Sequence, residues 1–343
     1  MKSLRAFALC VACQIPTLAM AQAPAEPMRF ISLDGGGMLE LIPISLLEKI
    51  EDATGQPISC LVDGMMGSSS GGIVAAMLNT PTQQWDQTPK FGAAQIHASY
   101  VANGIAVFNM HAFINAALFF SGYAHLANFP AAAASFDKLL DENVGHVYLS
   151  HSLKPLMITA YNARTGYVDL FDSENARKNA DNDMPLKHAI RATTALEFFF
   201  GQGTIRFNTS EPASDWIDAG RVGHNDPTAF LCDALAKRYP NRRIVVYSLG
   251  TGFGTSYRTR AYMKGLNPNI DVVRIEPNFN DRKGTYVRAL MKYFTGSDRM
   301  AENADVNYLA AMPFSSYISY IEKKAEEVIA LPAFKRMLAD FVQ

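Results

Sequence analysis

Gly67-Ser68-Ser69-Ser70-Gly71-Gly72 lies between two apolar runs, Cys60-Leu61-Val62-Asp63-Gly64-Met65-Met66 and Ile73-Val74-Ala75-Ala76-Met77-Leu78. The order reads as strand, sharp turn, helix, with Ser69 at the apex. A G-x-S-x-G turn in that setting is a nucleophile elbow. The flanking glycines permit a strained backbone and leave room for a substrate beside the hydroxyl. The helix that follows directs its first N–H groups at the serine, where negative charge would develop.

The chain has 343 residues, 49% of them hydrophobic, enough for a large core. A formal net charge of -1 gives no basic footprint for nucleic acid. The N-terminus reads as a signal peptide over residues 1–21: Lys2 and Arg5, an apolar Ala6 to Ala12, then the small-x-small site Ala19-Met20-Ala21. Gln14 and Pro16 interrupt the apolar stretch, which is too short to span a membrane. Residues 22–27 read as an Ala/Pro linker, and the chain is expected to be exported, to a periplasm or beyond the cell. Cys10 and Cys13 leave with the signal; Cys60 and Cys232 remain, as a disulfide or as two buried thiols. No Cys/His spacing resembles a metal site.

Strands are predicted over 28–33, 156–160, 167–171 and 244–249, and helices over 44–52, 186–195, 228–239 and 286–293. Alternating strands and helices imply an α/β sheet covered on both faces, and residues 28–343 read as one domain. Residues 91–136 contain no Asp, Glu, Lys or Arg. The plainer reading is a pair of buried helices; the sharper one is a lid presenting apolar surface to a lipid interface.

Three loops each follow a predicted strand: Asp34-Gly35-Gly36-Gly37, the Ser69 elbow, and Asp218-Ala219-Gly220 after Trp216-Ile217. Loops at the carboxyl ends of strands in an open α/β sheet gather in one crevice. A serine hydroxyl needs a base. A Ser-His-Asp esterase normally places its histidine after the acid, late in the chain. Here the last histidine is His224. That tilts the base toward a carboxylate, and Asp218 is the best placed. Burial would raise its basicity. Gly35, Gly36 and Gly37 suit an oxyanion hole, because side-chain-free amides can turn toward one point.

These segments together resemble the patatin-like phospholipase (lipid acyl hydrolase) family, from about Met28 to Gly252. Ile31-Ser32-Leu33-Asp34-Gly35-Gly36-Gly37 is similar to its oxyanion loop, and the Ser69 elbow to its G-T-S-T-G-G turn. Arg191-Ala192-Thr193-Thr194-Ala195 resembles R-A-T-S-A, and Asp218-Ala219-Gly220 with Asn225-Asp226-Pro227 resembles D-G-G/A and N-N-P. Ser248-Leu249-Gly250-Thr251-Gly252 is similar to a further strand end. The resemblance implies a three-layer α/β/α sandwich with a mostly parallel sheet. It implies lipid ester hydrolysis without a metal or other cofactor, at a membrane or micelle surface. Ser69 and Asp218 would form the dyad, and the Gly35–Gly37 amides would hold the oxyanion. Where the pattern D-G-G-G-x-R-G has Arg and then Gly, this chain has Leu39 and Glu40. The missing cation leaves room for neutral esters as well as phospholipids. It also admits a rival: a non-catalytic lipid-binding protein on a hydrolase scaffold.

Overall fold

The computed structural model describes residues 26–107, 118, 122–145, 147–200, 203–205, 214–281 and 314–342. The expected signal peptide, the first residues of the expected linker and the helix expected over 286–293 therefore lie outside the described residues.

The centre is one mixed sheet of eight strands. They are β1 Met28–Leu33, β2 Gly64–Ser68, β3 Leu156–Asn162, β4 Tyr167–Asp172, β5 Gly203–Ile205, β6 Ser214–Ile217, β7 Ile244–Leu249 and β8 Ile270–Ile275. The order is β5-β6-β3-β2-β1-β7-β8, with β4 also on β3. The run β3-β2-β1-β7-β8 is parallel; β4 and β6 are antiparallel to β3. Residues along a strand face alternate sides. So Ile31 and Leu33 enter one core with Tyr247, Leu249, Val273 and Ile275, while Phe30 enters a second core with Ile244, Val246, Ile270 and Val272. Both faces are dry, as a parallel sheet requires.

The larger core is covered by α1 Leu41–Thr54, α2 Ser70–Leu78, α3 Ala93–Val107, α4 Phe129–Val144 and α5 Leu186–Thr193, with α8 Phe314–Ile329 and α9 Pro332–Val342 completing it. The smaller core lies under α6 Thr228–Arg238 and α7 Tyr257–Met263. The result is helix, sheet, helix in three layers.

Several expectations shift. The strand expected over Cys60–Met66 begins at Gly64, because Pro57 starts a short helix, Ile58–Leu61. Asp63 then exchanges two hydrogen bonds with the Arg29 backbone, its carboxylate accepting and its N–H donating, both at 2.7 Å, which sets β2 beside β1. The thiols are both free, Cys60 exposed and Cys232 buried, so neither the disulfide nor the pair of buried thiols holds. Within 91–136, α3 and the start of α4 each bury one face, with Ala93, Ile96 and Phe136 in the core. Between them Tyr123 and Leu126 are exposed, so the segment is not a fully buried helix pair. Residues 108–117 and 119–121 of it lie outside the described residues.

Candidate active site

Ser69 sits between the end of β2 and the start of α2 at φ 53°, a left-handed conformation unusual for a residue with a side chain. The sharp turn brings the two arms of the elbow together. A Cβ on Gly67 would lie 2.2 Å from the Gly71 carbonyl oxygen, so only glycine fits there. The strain is held by Thr193, at the end of α5, whose Oγ1 accepts the Ser69 N–H at 2.8 Å.

Ser69 and Asp218 meet because of the strand register. β2 pairs with β3 as far as Ser68 opposite Thr159, which puts Ser69 opposite Ala160. β6 pairs Ile217 with Tyr161, and being antiparallel it puts Asp218 opposite Ala160 as well. The other edge of β3 is taken by β4 from Met157 to Asn162, so β2 and β6 share one edge end to end. The two residues thus arrive head-on from opposite directions. The loops after β2 and β6 do converge, but β6 runs antiparallel to β3, so the Asp218 turn reaches Ser69 from the opposite direction to the elbow.

Ser69 Oγ donates to Asp218 Oδ2 at 2.5 Å. Asp218 Oδ1 accepts from the Gly220 N–H at 2.8 Å, and the Asp218 N–H donates to the Ala195 carbonyl at 3.0 Å. The Arg191–Ala195 segment therefore touches both partners, which is why α5 stops at Thr193 rather than at the expected Ala195. Ser69 is half-buried; Asp218 is 2% exposed. Burial pushes the Asp218 carboxyl up to about 7; the hydrogen bonds from Ser69 and Gly220 oppose the rise, and the Glu197 carboxylate adds to it. Among the described residues no imidazole hydrogen-bonds to Ser69. The His224 ring packs on Phe230, 5.4 Å between centroids.

The glycine loop divides its amides. Gly35 N–H donates to the Asn225 carbonyl at 3.0 Å, and its own carbonyl accepts from Asn225 Nδ2 at 2.6 Å and from Thr251 Oγ1. A planar peptide points its N–H opposite to its C=O. Anchoring the Gly35 carbonyl thus aims the Gly36 N–H the other way, onto Ser70 Oγ at 2.9 Å. The Gly36 carbonyl accepts from Leu39 N–H at 3.1 Å, which turns the Gly37 N–H outward. Among the described residues, nothing accepts the Gly37 N–H. Of the three amides expected at the oxyanion, two are engaged elsewhere. The loop lies directly against Ser69: a Cβ on Gly35 would be 2.8 Å from Ser69 Cβ.

Beneath the loop, Arg274 of β8 grips Asp34 with both Nη atoms, at 2.8 and 2.6 Å. It also reaches Ser248 Oγ at 2.8 Å and Glu276 at 2.9 Å, and lies 3.8 Å from Asp226. Its side chain is 3% exposed. Desolvation acts against its charge, but the surrounding carboxylates, Asp34 foremost, win and hold the guanidinium ionised. Asp226 accepts from Thr228 N–H at 3.0 Å and Ser256 N–H at 2.9 Å, so it caps α6 rather than entering the Asp218 turn.

Sequence reading missed Arg274 and the part played by Thr193. A charged residue in the otherwise apolar run Val272-Val273-Arg274-Ile275 was the available signal.

The sequence model of the family described as patatin-like phospholipase matches residues 31–231. The chain belongs to that family. Relatives are distant. Patatin group J-1 of Solanum tuberosum is 22% identical over 75% of this chain and 69% of its own length. Patatin-like protein 1 of Oryza sativa subsp. indica is 25% identical over 68% of this chain and 60% of its own. Probable inactive patatin-3-Kuras 1 of Solanum tuberosum is 23% identical over 68% and 64%. This patatin-like chain thus spans some 60–69% of the length of these relatives. Among solved structures, VipD from Legionella pneumophila aligns over 80% of this chain and 68% of its own at 10% identity, with a TM-score of 0.33.

Proposed function

We propose that this patatin-like chain hydrolyses lipid acyl esters by a Ser69–Asp218 dyad. The observation that carries the reading is the 2.5 Å contact between Ser69 Oγ and a buried carboxylate whose affinity for protons is raised by its surroundings. A carboxylate in water is too weak a base to take a serine proton. One held near neutrality is better matched to the task.

As Ser69 Oγ attacks the acyl carbonyl, its proton passes to Asp218 Oδ2. The carbonyl oxygen becomes an oxyanion beside the Gly37 N–H and the first turn of α2. A well-aimed donor at that position is worth roughly 3–4 kcal/mol. Asp218 then gives the proton to the departing alcohol, leaving an acyl-Ser69 ester. Water, deprotonated in turn by Asp218, releases the fatty acid and restores the hydroxyl. No step calls for a metal or an imidazole.

The substrate reading is a lipid met at a membrane or micelle surface. Exposed Tyr123 and Leu126, in the segment free of charged residues, support that approach. Export by the N-terminal segment belongs to the same reading, with Gln22 as the first mature residue; N-terminal sequencing of exported protein checks it. The activity test is a hydrolysis panel of phospholipids, lysophospholipids and neutral glycerides, with Ser69→Ala beside wild type. Release of fatty acid from at least one class by wild type and none by S69A is the expected result. Folded wild type inert toward all three classes would sink the proposal.

A further inference from the structure

Behind the glycine loop lies a carboxyl that the proposed mechanism leaves unused. Glu40 is fully buried and stands where the pattern D-G-G-G-x-R-G has glycine. Its Oε2 accepts from Ser70 Oγ at 3.3 Å, long for such a bond but the carboxyl's sole hydrogen bond among the described residues. Ser70 Oγ in turn accepts the Gly36 N–H at 2.9 Å. Glu40 Oε1 is buried with no partner. The ionisable groups facing it are Asp34 and Tyr100, neither of which brings a positive charge. The Tyr100 hydroxyl is itself engaged, donating to the Ser70 carbonyl at 3.1 Å. Burial pushes the Glu40 carboxyl well above the usual carboxylate range, and the charge of Asp34 adds to the rise.

An apolar side chain would fill this space without desolvating a carboxyl. The acid has one evident use. A hydroxyl has a single proton and two lone pairs. If that proton is taken by Glu40, a lone pair is left to meet the Gly36 N–H. If it is not, the hydroxyl is free to rotate, and the Gly36 N–H meets an acceptor of no fixed direction, leaving the peptide held only at the Gly35 carbonyl by Asn225 and Thr251. The Gly36–Gly37 peptide starts from the same Cα and is held at its carbonyl by the Leu39 N–H, so a shift at Gly36 moves the Gly37 N–H with it. We infer that Glu40 is a positioning residue, which orients the Ser70 hydroxyl against the Gly36 amide and so fixes the direction of the Gly37 N–H beside Ser69. This rests on the proposed reading of Ser69 as nucleophile and of the loop as its oxyanion donor.

The experiment is steady-state ester hydrolysis by the full chain carrying Glu40→Ala, Glu40→Gln, Ser70→Ala, and Glu40→Ala with Ser70→Ala, with thermal unfolding of each. A small misalignment of a donor costs up to about 100-fold, so E40A is expected to lower kcat roughly 10- to 100-fold at nearly constant KM. E40Q keeps an acceptor for Ser70 and regains most of that loss. S70A falls as E40A does, and the double variant falls no further than S70A, because the two act through one chain of hydrogen bonds. A lower melting temperature in E40A with wild-type kcat would overturn the inference, as would additive losses in the double variant. If E40A does not fold, S70A with wild-type kcat overturns it independently. Loss of activity in S69A beside full activity in E40A would sink this inference and leave the dyad standing; full activity in S69A would sink the dyad itself.

Discussion

Two of the buried aspartates, Asp34 and Asp218, are held in opposite ways. Asp34, ending β1, is 0% exposed and clasped on both oxygens by the Arg274 guanidinium. Asp218, ending β6, is 2% exposed and meets only neutral donors, the Ser69 hydroxyl and the Gly220 amide. Burial pushes both carboxyls up to about 7, so the contrast lies in their contacts: the guanidinium takes up both Asp34 oxygens and leaves no open contact for a proton in transit. A carboxylate facing neutral donors can take one and give it back. On the proposed reading, the same residue type at the same depth is architecture in one place and chemistry in the other, and the partner decides which. Arg274 anchors the strand end that carries the glycine loop; Asp218 is left to face the nucleophile.

The sharpest way to break this contrast is to remove the reactive aspartate while keeping its shape. Asp218→Asn and Ser69→Ala are each expected to lower kcat for ester hydrolysis by about 10⁴-fold or more, the scale seen when the aspartate of a Ser-His-Asp triad is neutralised in place. Circular dichroism should show both variants folded. A modest drop in D218N would return Asp218 to the structural class.

The converse experiment removes the cation from Asp34. Breaking one side of a buried ion pair costs about 3–5 kcal/mol. Arg274→Met should therefore shift the urea midpoint far downward, by leaving Asp34 and Asp226 buried without their counter-charge. A midpoint within error of wild type would show that the clasp is dispensable.

Smaller in effect is the contact that holds the elbow. Thr193→Val keeps the shape of the side chain but offers no acceptor to the Ser69 N–H. Because the hydroxyl's placement depends on that strained backbone, kcat should fall roughly 10- to 100-fold with KM little changed. An equal change in KM and none in kcat would place Thr193 in binding instead.

The subtlest difference is in pH dependence. The folded Asp218 holds its proton up to about pH 7, whereas its unperturbed value is 3.8. Between those values the folded chain binds more protons than the unfolded chain, so this group's contribution to stability falls as pH rises. D218N removes that penalty. Its melting temperature relative to wild type should climb from pH 4 to 7 and then level. Activity moves oppositely: kcat/KM of wild type should rise through pH 7 as the base form appears. A rise centred near pH 4 would mean that the carboxyl is solvated in the working enzyme.

The Ser69–Asp218 contact was legible in the sequence because its signals are local. Glycines around Ser69 and a turn after Trp216-Ile217 announce themselves within a few residues. The three layers were legible for the same reason, since apolar runs such as Ile244–Leu249 repeat between helical stretches. What escaped depends on contacts across long stretches of chain. Arg274 meets Asp34 from 240 residues away, and nothing near either residue names the other. The head-on arrival of β6 was hidden too, since it follows from sharing an edge of β3 with β2 rather than from any feature of Ser214–Ile217. Three glycines in a row gave no sign that two of their amides would be engaged by Asn225 and Ser70, because a run of equivalent residues does not reveal which way each peptide turns.

The central claim is that a carboxylate, and not an imidazole, activates Ser69. The most direct measurement is the rate at which a fluorophosphonate probe labels Ser69 in wild type, Asp218→Asn and His224→Ala, with the labelled residue located by peptide mass spectrometry. The account predicts fast labelling at Ser69 in wild type and in H224A, and almost none in D218N. Labelling of D218N at the wild-type rate, or its loss in H224A with the fold intact, would contradict it.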